Sequence, residues 1–319
     1  MQNPAKPFKF PRIILSPLSG ISSLPFRRIN REAGCKFAFL EMINARSLSY
    51  KSKRTLEMMR TEASDCPLGV QLLGKDLQYI LKALENLKDY KYDILDFNAA
   101  CPQKKVTSRG EGAALLKEPK ELQKILKIIV KESDVPVTVK LRLGFDDAKN
   151  TLETAKHVRD AGVCAIFLHG RTSAQGYRSP VNYEAIKEVK ANIDIPVIAS
   201  GDIWSGKTAK KMFDETGCDS VMVARGALGN PWIFKEIEEF LSSGRIITKP
   251  KAKEVSQMMK RHFNMCIDFY GEKVGIWKFR KFFIWYTTGF SGVKQLRKAV
   301  FSAGAKQKLF KLIDEFSII

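Results

Sequence analysis

Cys101 stands in the segment Asn98-Ala99-Ala100-Cys101-Pro102, directly after the apolar run of Ile94, Leu95 and Phe97. A short run of that kind reads as a buried strand. Pro102 cannot continue a sheet ladder, so the thiol falls where the strand stops. Free cysteines are commonly buried and inert. The loop that follows this one, however, carries Lys104, Lys105 and Arg109 with Gly110 and Gly112, a composition that suits phosphate better than a core. A second candidate is Lys140, between Val139 and Leu141. A lysine in a strand normally faces solvent, but one covered on both sides needs a partner for its charge. A third is His169, one of three histidines in the chain, in His169-Gly170-Arg171.

These residues need a scaffold that brings strand ends together. Short apolar strands alternate with amphipathic helices along the first three quarters of the chain. The expected strands are Ile13–Ser16, Phe37–Glu41, Leu68–Leu73, Ile94–Asn98, Val137–Leu141, Ala165–His169, Val197–Ser200 and Ser220–Ala224. The helical patterns between them include Leu77–Leu87, Pro119–Glu132, Thr151–Ala161, Tyr183–Ala191 and Gly206–Thr216, with a further helix from about Ala113. Eight strands with helices between them predict an α/β fold, a parallel (β/α)8 TIM barrel. A doubly wound sheet is the alternative, weakened because no G-x-G-x-x-G follows the first strand.

Ile233–Leu241 reads as a last barrel helix and Ser242-Ser243-Gly244 as a linker. Four helical patterns follow, Val255–Tyr270, Trp277–Tyr286, Val293–Phe301 and Ala305–Phe316. The division expected is therefore a barrel over 1–244 and a small helical bundle over 245–319. There are no repeats and no low-complexity segment.

The chain of 319 residues carries 54 Lys+Arg against 34 Asp+Glu, a formal charge of +20. Residues 245–319 hold 16 Lys+Arg against 5 Asp+Glu, so +11 of that excess sits in the last quarter. A polyanionic partner is a fair inference from such a distribution; a generally lysine-rich composition is the plainer one. No run of 18 apolar residues occurs, which argues against a membrane span. The opening MQNPAKPFKFPRIIL has too short an apolar stretch for a secretory leader. The six cysteines are scattered without a C-x-x-C pair, which argues against a zinc site or a disulfide framework and suits a reducing cytoplasm.

In a barrel the chemistry belongs at the carboxyl ends of the strands. Polar residues collect there: Ser16-Pro17-Leu18-Ser19-Gly20, Gln71, Asn98 with Cys101, Lys140 with Arg142, His169 to Arg171, Ser200-Gly201-Asp202, and Ala224-Arg225-Gly226. Glycines ending strands seven and eight let backbone N–H groups approach a phosphate, and Arg225 adds charge. Lys140 and His169 would face the ring and phosphate of a cofactor; a cation near an isoalloxazine stabilises its anionic reduced form. Neither a P-loop nor a carboxylate pair for sugar chemistry is evident.

With these pieces in view the chain resembles the tRNA-dihydrouridine synthases, most closely the bacterial B-type subgroup. The matching stretches are SPLSGISSLPFRRI, VQLLG, NAACPQKKV with GEGAALL, VTVKLRLG, HGRTSAQGY, IASGDI, VARGALGNPWIF and FRKFFIWYTTGF. The resemblance implies FMN bound non-covalently at the barrel mouth and reduced by NADPH. Hydride would pass from FMN N5 to C6 of a uridine, with Cys101 giving a proton to C5. It assigns flavin contacts to Pro17, Leu18, Gln71, Lys140, His169, Ser200, Gly201, Asp202, Ala224, Arg225 and Gly226. Asn98, Arg142, Arg171, Tyr177 and Arg178 fall on the substrate side. No metal is implied, and the helical tail would grip tRNA. Three positions depart from the family pattern: Ser200 where Asn is usual, Ala99-Ala100 before Cys-Pro, and Pro-Leu-Ser in the first motif.

The chemistry of uracil agrees. Its C5=C6 bond is conjugated to the C4 carbonyl, so hydride added at C6 leaves charge over C5 and O4 that an acid must quench. A thiol of pKa ~8.5 is mostly protonated at neutral pH and serves, beneath a loop hinged at Gly110 and Gly112. The uridine must leave its stack to reach the pocket. Rival expectations are the same chemistry on ribosomal RNA, an FMN barrel oxidoreductase of a small molecule, and a non-catalytic RNA-binding protein. A cytoplasmic monomer is the default expected.

Overall fold

The structure is a computed structural model that describes residues 8–319. Residues 1–7, part of the opening whose apolar stretch is expected to be too short for a leader, lie outside the described residues. Eight parallel strands close into a barrel in sequence order. They are β1 (Ile13–Leu15), β2 (Ala38–Asn44), β3 (Leu68–Leu73), β4 (Ile94–Ala99), β5 (Val137–Arg142), β6 (Ala165–His169), β7 (Val197–Ser200) and β8 (Ser220–Val223). β8 pairs with β1 through Ile13↔Val221 and Leu15↔Val223, so the sheet has no free edge.

Side chains alternate across each strand, and the alternation sorts the core into two. Leu95, Phe97, Leu141 and Leu168 face outward onto the surrounding helices. Ile14, Phe37, Phe39, Ile94, Phe167, Ile198 and Met222 point inward and fill the lower barrel, with T-shaped contacts such as Phe39–Phe167 at 5.5 Å. Above that apolar layer the same inward positions turn polar: Gln71, Asp96, Asn98, Thr138, Lys140 and Ser200. The apolar floor fills the lower barrel, and of the polar layer Gln71, Asn98, Lys140 and Ser200 reach the pocket above it.

Two of the barrel helices show clear caps. Asp76 accepts from Gln78 N at 3.0 Å ahead of Leu77–Leu87. Ser205 and Thr208 form a capping box before Gly206–Thr216, which ends on left-handed Gly217. Differences from expectation have local causes. β2 runs on to Asn44 because its register shifts between Phe39 and Met42 and then pairs with Gln71–Leu73. The helix expected from Ala113 is a 3-10 turn over Gly112–Lys117, and the α-helix begins at Pro119, a favoured first-turn residue. The Ser-Ser-Gly stretch is no linker: Ile233–Ser243 continues through the serines to a left-handed cap at Gly244.

Helices Ala252–Tyr270, Glu272–Tyr286, Lys294–Ser302 and Lys306–Ser317 follow. They pack on the barrel rather than hang from it. Phe26, on the Leu24–Glu32 helix, stacks on Phe282 with centroids 5.7 Å apart. Arg60 Nη1 donates to the Phe269 carbonyl at 2.9 Å. Lys281 donates to the Gly20 carbonyl, whose own N–H donates to the buried Glu41 carboxylate. At Gly229, φ is +68° and a Cβ would lie 2.3 Å from the Trp285 backbone, so only glycine lets the loop after β8 meet this helix.

Candidate active site

One pocket opens at the carboxyl ends of the strands. It is lined by Pro17, Leu18, Gln71, Asn98, Cys101, Lys140, Arg142, His169, Tyr177, Ser200, Gly201, Asp202, Ala224, Arg225 and Gly226. Strand register sets these neighbours: Asn98 pairs with Lys140, Arg142 with His169, and His169 with Ser200. Two of the expected substrate residues lie elsewhere. Arg171 is buried behind the wall, donating to the Ser179 carbonyl and paired with Asp202. Arg178 is exposed on the loop beyond Tyr177, away from the lining.

Cys101 is half-buried, and burial pushes its thiol above the ordinary range. Its backbone N–H donates to Asn98 Oδ1 at 2.9 Å, and its carbonyl accepts from Ala113 N at 3.1 Å. Arg142 staples this loop to the next. Its Nε donates to the Ala100 carbonyl at 2.9 Å, and its Nη1 to the carbonyls of Thr172 and Gly176 at 2.8 and 2.9 Å. Arg142 thus spends its guanidinium on main chain, whereas Asn98 gives its oxygen to main chain and its Nδ2 to Gln71 Oε1 at 2.7 Å, and their effect on a ligand runs through the loops they hold. Gly110 and Gly112 both take positive φ in the turn that follows.

Lys140 Nζ reaches Ser200 Oγ at 3.3 Å. Burial lowers its pKa to about 8, against the opposing pull of Asp96. Ser200 Oγ also meets His169 Nδ1 at 3.2 Å. Burial, reinforced by Lys140 and three arginines, lowers His169 to about 2, so the ring is neutral. Its Nε2 is buried without a partner among the described residues, a cost that a ligand's polar group would remove. At the rim Arg225 lies 4.7 Å over Tyr177 and 5.0 Å over Trp204, and donates to Asp202 Oδ1 at 2.9 Å. The orphaned imidazole nitrogen, the ammonium beside it and the rim guanidinium fit the polar edge, hydroxyls and phosphate of a flavin.

The glycines have a stricter reason than access for a phosphate. A Cβ at Gly226 would sit 2.2 Å from the Ile203 carbonyl oxygen, so the ends of β7 and β8 close up only with glycine there. Among residues the sequence did not single out, Met42, Gln103, Ile203, Trp204 and Met222 also line the pocket. Asp96 and Thr138 lie below it. Asp96 had a visible signal, since a charge between Leu95 and Phe97 raises the same question as Lys140 between Val139 and Leu141. Among the described residues no group of three His, Cys, Asp or Glu is placed to hold a metal.

The dihydrouridine synthase family model matches residues 14–317. The chain belongs to the dihydrouridine synthase family. Among its relatives, tRNA-dihydrouridine synthase B of Vibrio parahaemolyticus is 38% identical over 287 residues, covering 90% of this chain and 89% of the relative. The enzyme of that name from Pseudomonas aeruginosa is 34% identical, covering 91% and 88%. Probable tRNA-dihydrouridine synthase 1 of Synechocystis is 36% identical, covering 95% and 86%. The relatives bearing the B-type name put this member of the family in that subgroup. Solved structures match at the level of fold. A 2-naphthoyl-CoA reductase complex gives a TM-score of 0.58 at 12% identity, covering 72% of this chain and 50% of that one. Histamine dehydrogenase from Rhizobium sp. 4-9 gives 0.53 at 14%, covering 80% and 49%.

Proposed function

We propose that this dihydrouridine synthase reduces the C5=C6 bond of specific uridines in tRNA to 5,6-dihydrouridine, using FMN reduced by NADPH. The observation that carries the reading is a proton-retaining thiol, Cys101, in the same pocket as an orphaned His169 nitrogen and the Lys140 ammonium. The names of the relatives support tRNA as substrate. Gln71, Lys140, His169 and Ser200 would hold the flavin, with Pro17, Leu18, Gly201, Asp202, Ala224, Arg225 and Gly226 around it. When bound, FMN supplies a hydride to C6 of the uracil.

The residues of the chain do the rest. Lys140 offsets negative charge in the pocket. The Cys101 S–H bond breaks and its proton goes to C5, leaving a thiolate that solvent reprotonates. Hydride and proton together saturate the double bond. Asn98 and Arg142 hold the Cys101 loop, and Arg142 also braces the loop bearing Tyr177. Tyr177, Arg225 and Trp204 offer faces on which a base drawn out of its stack can lie. Residues 245–319 act as a basic RNA-holding domain on the barrel of 1–244. The enzyme acts as a cytoplasmic monomer; no described helix is long and apolar enough to cross a membrane.

Turnover of unmodified tRNA in D2O tests the proton step. Each dihydrouridine formed should carry one solvent deuterium at C5, and Cys101→Ala should slow its formation by about 10²–10⁴-fold. Undiminished formation in Cys101→Ala would remove the thiol from the reaction.

A further inference from the structure

Three neighbouring strands place Gln71, Asp96 and Thr138 side by side, with Asn98 one pleat above Asp96. Asp96 is only 1% exposed and takes no part in the chemistry above. Its Oδ2 accepts from Gln71 Nε2 at 2.7 Å, and its Oδ1 from Thr138 Oγ1 at 2.7 Å. Gln71 Oε1 accepts from Asn98 Nδ2 at 2.7 Å. Asn98 Oδ1 accepts from the backbone N–H groups of Ala100 at 3.0 Å and Cys101 at 2.9 Å. The chain of contacts runs unbroken from the barrel interior to the reactive thiol's own main chain.

Such a chain has a direction. An ionised carboxylate only accepts, so Gln71 must turn its NH2 group toward Asp96. Its oxygen then faces Asn98, which must answer with its own NH2 group. The Asn98 oxygen is left for Ala100 and Cys101. In the reversed sense an NH2 group would confront two N–H donors and leave both unsatisfied. We propose that Asp96 is a positioning residue for Cys101: its carboxylate orients the Gln71 and Asn98 amides, and through them fixes the main chain of the thiol at the end of β4. Burial raises the Asp96 carboxyl to about 6, with Gln71, Thr138 and Lys140 pulling the other way, so it is ionised at neutral pH. The functional meaning rests on Cys101 being the proton donor. The contacts do not, and the test reads them directly.

Thr138 makes the test sharp, because a hydroxyl can donate or accept. In Asp96→Asn the new NH2 group can turn to the Thr138 oxygen, keep its own oxygen toward Gln71 and preserve the sense of the chain. In Thr138→Val the carboxylate still only accepts, and the sense again survives. With both changes the NH2 group at position 96 finds an acceptor only by facing Gln71, which reverses both amides. Amide hydrogen exchange is measured at Ala100 and Cys101 in the full-length, flavin-loaded protein. Alkylation of Cys101 by iodoacetamide is followed in parallel by peptide mass.

Each single variant is expected to exchange within about threefold of the parent. The double variant is expected to exchange at least about tenfold faster at both amides, as the loss of both bonds implies, with Cys101 alkylated faster as well. A double variant no different from the singles, or Asp96→Asn alone releasing both amides, overturns the proposal. Should the double variant not fold, Gln71→Leu removes the middle link with Asp96 and Thr138 intact; because Gln71 is also a proposed flavin contact, it is compared with the parent protein stripped of flavin as well as loaded. It is expected to speed exchange at Ala100 and Cys101 and not at Leu95 or Phe97. Unchanged exchange at the first pair overturns the proposal too. A failure of the proton-donor reading would appear instead as normal dihydrouridine formation by Cys101→Ala.

Discussion

The proton delivery proposed for Cys101 requires a thiol kept from ionising, and Cys101 sits among cations that pull the other way. Arg142, Lys105 and Arg109 each favour the thiolate, yet burial outweighs them and its pKa lies above the ordinary value. At Lys140 the same preference for the neutral form acts on a base and so lowers the pKa. Desolvation favours its neutral amine, so the cation prevails below about 8 and is lost as pH rises through that value. FMN affinity of the flavin-free protein should therefore weaken above pH 8. Lys140→Met should abolish that dependence and lower the flavin midpoint potential by about 30–60 mV, the two-electron equivalent of a charged hydrogen bond of ~1.5–3 kcal/mol. Fluorescence titration across pH and a dye-coupled reduction check both; an unchanged potential would mean that the ammonium does not act on the ring. At this scale Cys101, Lys140 and His169 were legible because each is chemically odd among apolar neighbours. What the spacing could not reveal is which polar atoms are already spoken for. Arg142 lines the pocket but serves main-chain groups, Asn98 serves main chain and Gln71, and Arg171 turns away to Asp202.

The strands were legible almost to the residue wherever period and composition agree, as at Leu68–Leu73, Ala165–His169 and Val197–Ser200. Legibility failed where pairing rather than pattern sets the boundary. The extension of β2 to Asn44 depends on a register shift against β3, which no single strand announces. Glycines show the same limit. Composition gives Gly229 no evident purpose, yet the Trp285 backbone passes against it. Gly229→Ala combines a left-handed φ with that collision. It is expected to cost about 1–3 kcal/mol of stability and to loosen the Glu272–Tyr286 helix from the barrel. Thermal unfolding followed beside tRNA turnover checks it: turnover should fall further than NADPH oxidation, and equal losses would mean that the contact serves folding alone.

Over the whole molecule, the closed barrel positions the reacting groups and the helical segment brings the charge. Its excess of +11 includes Lys294, Arg297 and Lys298, which share a surface groove with Phe290 and Phe301. Such a groove can meet phosphates and a base face together. The docking of these helices on the barrel, with Lys281 at the Gly20 carbonyl and Phe282 against Phe26, was not legible from composition, which suggested a separate bundle. It joins the helices to the barrel that carries the Cys101 pocket. As proposed above, this protein takes electrons from NADPH and delivers them to a uridine in tRNA. The most direct measurement is the visible spectrum of the purified protein without oxygen, first with NADPH and then with unmodified tRNA. A flavin band bleached by NADPH and restored by tRNA, with dihydrouridine formed in equal amount, is the expected result. A bleached band that unmodified tRNA leaves bleached would contradict it.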